Sequence, residues 1–312
     1  MATADTLRVA TFNTDLSRKG PGLLLRDILA GTDAQINAVL AQITNARPDV
    51  IILQGIDYDM QNLALAALAQ EADYPHHFSA PPNAGRMTAY DMDGDGNTGG
   101  PGDAQSYGHF YGQGSMALLS KYPVLLHDVQ DHSEMLWQNL PHALSPETDG
   151  LPYPSAKARA VQRLSSHGHW VIPIDHPTLG PVTILAYHAA PPVFDGPEDR
   201  NGKRNHDETA FWSHYLDGAF GPSPEARFIL MGGANLDPDR GEGRSIAMRN
   251  LLNDPRLQDP LPGQPTVTFA QTGPMRVDYV LPSADWKVAD AKVVMADPTA
   301  SRHSLVWVDL TR

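Results

Sequence analysis

No cysteine occurs among the 312 residues. That absence removes disulfides, thiolate zinc sites and cysteine nucleophiles together. It leaves the compartment open, because exported proteins also occur without cysteine. Long apolar runs are missing too. No stretch approaches the ~20 residues that cross a bilayer, and Met1–Asp5 has no apolar core of an export signal. Positive charge is scarce: 23 Lys and Arg face 36 Asp and Glu, for a net charge of -13. A surface so acidic repels free polyanions and argues against tight, cation-independent nucleic-acid binding. It leaves phosphoester substrates open, since bound divalent cations invert the local field. No repeat period and no low-complexity linker divides the chain. Residues 1–312 are therefore expected to form one domain, and the protein to be a monomer.

What is present is a core-forming chain, 41% hydrophobic, with strands and helices mixed along its length. Alternation predicts strands over Leu7–Asn13, Val50–Leu53, His77–Ala80 and Gly114–Val124. Others are expected at Ala160–Leu164, Gly168–Ile174, Val182–His188, Arg276–Pro282, Lys287–Met295 and Leu305–Leu310. Helical spacing predicts helices over Asp33–Ala46 with Asp33 as N-cap, Gln61–Gln70, Asn205–Leu216 and Arg244–Leu252. In the helix at 205–216, Trp212 and Tyr215 are expected on the core side. A Gly/Asp-rich insert occupies residues 81–113, and residues 133–158 form a second irregular excursion. The run Phe228-Ile229-Leu230-Met231 breaks into Gly232-Gly233 and then Ala234-Asn235, as a buried strand opening into a loop does. Ligands meet side chains at such strand ends.

Several strand ends share this property: Asn13, the Gln54–Asp57 turn, His188 and Asn235, with Ser301-Arg302-His303 before the last strand. These residues, together with Val9-Ala10-Thr11-Phe12-Asn13, Asp49-Val50-Ile51-Ile52-Leu53-Gln54, Met116–Val124, Tyr187-His188 and Arg276-Val277-Asp278-Tyr279-Val280, resemble in order and spacing the endonuclease/exonuclease/phosphatase superfamily. The resemblance covers nearly the whole chain. It implies an α/β fold, a four-layer α/β/β/α sandwich with two mixed β-sheets as in deoxyribonuclease I. It also implies divalent-metal-assisted (Mg²⁺ or Mn²⁺) hydrolysis of phosphoesters. Carried over by position, Asn13 would orient metal or phosphate and His188 would stabilise the phosphate or the departing oxygen. Asn235 would position the nucleophile or donate to a phosphoryl oxygen. Asp278 would orient a histidine, and His303 would be the general base.

Three positions depart from the pattern that the resemblance implies. Gly55 stands where a metal-binding Glu is expected, Gly233 where an Asp is expected, and Arg302 where the Asp of a Ser-Asp-His motif is expected. Asp57, two residues beyond Gly55, would face the same side of an extended segment and so stand in as a ligand. Asp59 and Asp237 are weaker substitutes. Arg302 can hold phosphate through its guanidinium fork. Gly233 supplies no carboxylate at all.

Two further features lie outside the resemblance. Asp91, Asp93, Asp95 and Asn97 alternate around Gly94 and Gly96 like the first half of a calcium loop, with Asp103 closing it in place of the usual Glu. A Ca²⁺ ion there is expected to order the insert and tilts localisation towards the periplasm or the exterior, a cytoplasmic location being the alternative. The charged stretch 194–205 follows His188, and as a substrate loop it would offer Arg200, Lys203 and Arg204 to phosphate. The expected activity is hydrolysis of a phosphoester, small molecule or nucleic acid, in a form weakened or inactivated at Gly233. The alternative is a non-catalytic binder of a phosphorylated ligand at His188, Arg302 and His303.

Overall fold

In the computed structural model, residues 6–312 are described, and the expectation for Met1–Asp5 lies outside them. The chain opens with β1 (Leu7–Asn13), then α1 (Leu23–Ala30) and α2 (Ala34–Ala46) cross to β2 (Val50–Ile56). Asp33 caps α2 by accepting from the Ile36 amide, as its sequence position predicts. Next come α3 (Leu63–Glu71), β3 (His76–Phe78) and, past the insert, β4 (Ser115–Ser120). The second half runs through β5 (Gln130–Asp131), the two-residue strands β6 (Glu147–Thr148) and β7 (Leu151–Pro152), α4 (Ala156–Val161), β8 (His169–His176) and β9 (Gly180–His188). It continues with α5 (Arg200–Leu216), β10 (Phe228–Gly233), α6 (Ile246–Leu252), β11 (Val267–Phe269) and β12 (Gly273–Met275). It closes with β13 (Asp278–Pro282), β14 (Lys287–Val293) and β15 (Val306–Thr311).

Two mixed sheets result, in the orders β14-β15-β1-β2-β4-β3 and β13-β10-β9-β8-β5. In each, one central pair is parallel, β1 with β2 and β9 with β10. Strand alternation sets the layers. In β10, Ile229 and Met231 face the other sheet, while Phe228 and Leu230 face helices. The inter-sheet core joins Val9, Ile52 and Val308 to Trp170, Ile184 and Val280. On the outer face of the first sheet, Phe12 and Leu53 meet Leu24, Val39 and Leu68 of the first three helices. On the outer face of the second, Leu185 and Leu230 meet Phe211, Trp212 and Tyr215 of α5 and Met248 of α6. The order of layers is thus α/β/β/α, as expected.

Four local expectations change. Residues 160–164 are not a strand. Ser155 caps the short helix α4 by accepting from the Ala158 amide, and that cap outweighs the β-branched Val161. Helix α5 begins at Arg200, five residues before the expected start, because its first turn is held by tertiary contacts to buried polar groups rather than by an apolar stripe. Helix α1 went unanticipated: it is eight residues long between Gly22 and Gly31, and only Leu24 and Ile28 bury. The hairpin β11–β12 is likewise too short and too exposed to show a period.

The insert is pinned by polar contacts rather than by an apolar core. The buried Asn83 amide donates to Ser133 O (2.6 Å) and Ser165 O (2.9 Å), while Gln105 donates to Val161 O (2.8 Å) and accepts from Arg163 N (2.8 Å). Its order therefore does not rest on a cation alone.

Ile184 is fully buried between the sheets. Its replacement by alanine is expected to cost about 2–5 kcal/mol of stability, measured as a lower urea midpoint at unchanged m-value.

Candidate active site

The strand registers decide what meets at the rim. Asn13 pairs with Gln54 across β1 and β2, and Gly233 pairs with both His188 and Asp278 across β9, β10 and β13. Neighbouring strands lie about 4.8 Å apart, so His188, Gly233 and Asp278 stand in a row on one sheet. The other sheet brings Asn13 and, just before β15, His303.

Asp278 and His303 join across the two sheets, with Asp278 Oδ2 accepting from His303 Nδ1 at 2.8 Å. A carboxylate bound to Nδ1 leaves the lone pair on Nε2, which faces the Asn13 amide nitrogen at 3.5 Å. Burial lowers the His303 pKa, but the charge and hydrogen bond of Asp278 overcome it, with Asp15 adding, so the ring is held above its ordinary value. Thr266 orients the carboxylate by donating to the same Oδ2 at 2.8 Å while accepting from the Val277 and Asp278 amides. Ser301 donates to Asn13 O (2.6 Å) and accepts from His303 N (3.1 Å), tying the His303 loop to β1.

His188 is the contrasting histidine. Burial, with His167 and His303 nearby, drives its pKa well below the ordinary value. Its Nδ1 is buried without a partner among the described residues, and an unpaired buried N–H costs more than 1 kcal/mol. On Nδ1 a proton would have no acceptor, so these surroundings favour the Nε2–H tautomer. Asn235 follows β10 in a left-handed turn (φ 50°) and donates one amide proton to Ala189 O at 2.8 Å. The second proton and the carbonyl oxygen are left for substrate or water. Gly232 is required for this geometry: at its φ of 144°, a Cβ would sit 2.0 Å from Tyr187 O.

Gly233 brings no side chain to this row. A Cβ there would lie 3.0 Å from His188 Cδ2, 3.5 Å from His188 Nε2 and 3.6 Å from Asp278 Oδ1. Asp278 Oδ1 is itself buried and unpartnered among the described residues. A side chain at position 233 would thus lie between His188 and the unpartnered Asp278 oxygen, with His188 yielding by a few tenths of an ångström.

Gly55 is different. Its φ is 70°, and a Cβ would meet Asn13 Oδ1 at 2.8 Å and Asp15 N at 2.9 Å. The Asn13–Asp15 turn fills the space where a Glu side chain would emerge. It brings in Asp15, a half-buried carboxylate that sequence reading missed, paired with Arg302 at 3.1 Å. The only signal for Asp15 was its place two residues past a strand-terminal Asn.

Other expected roles are corrected. A bulge at Gly55, where the β2–β4 register shifts between Gln54 and Ile56, breaks the alternation that would have put Asp57 beside it. The Asp57 oxygens instead accept from Ser17 Oγ (2.7 Å), Arg18 N (2.8 Å) and Gly114 N (3.0 Å), and burial raises its pKa despite them. Asp59 caps α3, and Asp237 accepts from Asp239, Arg240 and Arg276 amides. Arg204 is buried and donates to the carbonyls of Arg163, Leu164 and Ser165, so it is a brace and not a phosphate ligand. Arg200 donates to Gln162 Oε1, and Lys203 to Glu198 O. Arg302 pairs with Asp15 at the rim and keeps its side chain 67% exposed.

With this rim assembled, comparison decides the family. The model of the Endonuclease/Exonuclease/phosphatase family matches residues 10–303. The chain belongs to this family. Solved structures agree on the fold. A Beutenbergia cavernae endonuclease/exonuclease/phosphatase superposes with TM-score 0.64 at 18% identity, covering 98% of this chain and 71% of that one. A Bacteroides vulgatus endonuclease/exonuclease/phosphatase gives 0.57 at 15%, covering 98% of each chain. Sphingomyelinase C from Streptomyces griseocarneus gives 0.52 at 18%, covering 99% of this chain and all of the other. No curated protein sequence matches. Family membership supports phosphoester hydrolysis in general terms.

The family implies a divalent cation, and the donors present decide how one would fit. A hard cation wants several oxygens, but Mg²⁺ is commonly held by one or two carboxylates with water and substrate phosphate. Among the described residues, the acids and histidines at the rim include no triad with converging ligand atoms. Asn13 Oδ1, Asp15 and the orphaned Asp278 Oδ1 are the oxygens on offer. They suit a cation that arrives with a phosphate better than one caged by protein alone. Within the insert, Asp91, Asp93 and Asp95 do place ligand atoms within 4.8 Å of one another, a cluster able to coordinate a metal. Asp103 stands apart from it, accepting from Met92 N and Gly100 N, and Asn97 turns back on Asp95.

Because His303 must be neutral to accept a proton, the rate of any turnover should rise with pH through a pKa above the ordinary ~6.5. Asp278→Asn removes the raising charge, so that limb should move to lower pH while the rate falls roughly 10²- to 10⁴-fold. The pH profile of kcat/KM measures both.

Proposed function

We propose that this protein is a metal-assisted phosphoester hydrolase whose reaction is centred on His303 and His188 and weakened by Gly233. The observation that carries this reading is the cross-sheet Asp278–His303 pair at 2.8 Å, with His188 in the same row of strand ends. His303 Nε2 takes the proton of the attacking water, and Asp278 stabilises the imidazolium that forms. His188 Nε2–H donates to a phosphoryl oxygen or to the departing oxygen. The Asn235 amide orients the water, and Arg302 exchanges Asp15 for phosphate. Asn13 and Asp15 would hold the divalent cation, Mg²⁺ or Mn²⁺, which supplies charge neutralisation at the phosphate.

A non-catalytic phosphate-binding role is the second reading, favoured by one observation: both Gly55 and Gly233 withhold carboxylates while Arg302 adds positive charge at the rim. We further propose Ca²⁺ as the occupant of the Asp91–Asp95 cluster and, because Ca²⁺ sites of this weaker kind suit extracellular concentrations, a periplasmic or secreted location.

Gly233→Asp separates the two main readings. Its backbone is ordinary and its Cβ needs only a few tenths of an ångström from His188. Divalent-dependent hydrolysis of a panel of phosphodiesters and phosphomonoesters should rise roughly 10²- to 10⁴-fold over the parent. No turnover in either form, with retained binding of inorganic phosphate, sinks the hydrolase and leaves the binder. For the insert, Asp93→Ala should abolish the calcium heat that the parent shows in calorimetric titration; equal heats would rule out that site.

A further inference from the structure

His167 precedes β8 and was not singled out by its sequence surroundings. Its ring stacks on His188 at 4.2 Å between centroids and 16° between planes. Its Nδ1 lies 3.0 Å from the His188 carbonyl oxygen. A carbonyl only accepts, so Nδ1 carries the proton and Nε2 is a bare lone pair. One residue thus grips His188 twice, by backbone and by ring.

The grip is braced from α5. The buried Glu208 carboxylate accepts from Ser166 Oγ at 3.0 Å and Ala190 N at 2.8 Å, and also from the Ser166 amide. Ser166 adjoins His167, and Ala190 lies two residues past His188. Asn205 donates to Ala190 O (2.7 Å) and Ala234 O (2.8 Å), joining this segment to the loop that carries Asn235. The polar face of α5 is therefore spent on the chain around the two stacked rings.

We propose that His167 is a positioning residue that confines His188 to the one ring orientation and tautomer presenting Nε2–H to substrate. The need arises from His188 itself. Its Nδ1 has no hydrogen-bond partner among the described residues, so nothing bonded to the ring stops it turning over. A packed neighbouring ring supplies the missing constraint. Burial also keeps His167 neutral, with a pKa lowered to about 4, so the stack does not place charge against His188. The role rests on the proposed use of His188 as a phosphate donor, but its first readout does not.

The test is ¹⁵N–¹H spectroscopy of histidine rings in the full chain, with His303 as the fold control, followed by titration with inorganic phosphate. The parent should show His188 as a single Nε2–H tautomer. His167→Ala should broaden or double the His188 ring signals, raise its titration towards about 6.5 and weaken phosphate roughly tenfold, with His303 unchanged. His167→Phe keeps a flat ring in the stack and should preserve the single tautomer. Unaltered His188 signals in His167→Ala overturn the proposal, and so does a His167→Phe variant that behaves like His167→Ala. If phosphate binds neither parent nor variant while the ring signals respond as expected, the positioning role stands and the phosphate-site reading falls.

Discussion

The hydrogen bond between Asp278 and His303 joins the two sheets at their shared rim. Asp278 starts a strand of one sheet, and His303 precedes a strand of the other. Their 2.8 Å contact therefore exists only when both sheets are stacked in register. Being buried, the pair is tolerable only while both partners are present, since either alone would leave an uncompensated polar group. Thr266 and Ser301 complete the arrangement, and both come from segments with little secondary structure of their own. The rim is thus a place where polar satisfaction, not apolar packing, holds loops to strands.

Three histidines around this rim acquire different states from the same chemistry. His303 has a carboxylate on Nδ1 and is held above its ordinary pKa. His188 has no partner on Nδ1 and is held below it, and His167 binds a carbonyl and stays neutral. The difference between the rings follows from what each ring's inner nitrogen meets. It needs no cation to establish it, although a cation arriving with phosphate would add to the charge that the donors already address.

The two glycines at the rim differ in kind. Gly55 belongs to a bulge that the neighbouring turn has filled, so backbone and side chain have adapted together there. Gly233 has ordinary backbone and lies near an orphaned carboxylate oxygen on Asp278. That contrast makes position 233, rather than 55, the one whose backbone would accept a side chain without strain.

Much of the fold was legible in residue order. Alternating apolar runs such as Phe228–Met231 identify strands because both faces must be buried, and helices with capped starts such as Asp33–Ala46 declare themselves locally. The polar strand ends Asn13, His188 and Asn235 were legible for the same reason, since a polar residue closing an apolar run needs a partner or a ligand. The sequence by itself thus determined most strands, several helices and the polar strand ends, and its family resemblance implied the layer order. Tertiary structure alone decided the rest. The bulge at Gly55 turned Asp57 away and brought Asp15 in, because alternation holds only while the ladder is regular. Arg204 and Glu208 became braces inside α5, because charge in a sequence does not say which face a helix buries. His167 reached His188 only through the pairing of β8 with β9, a contact that no local pattern records.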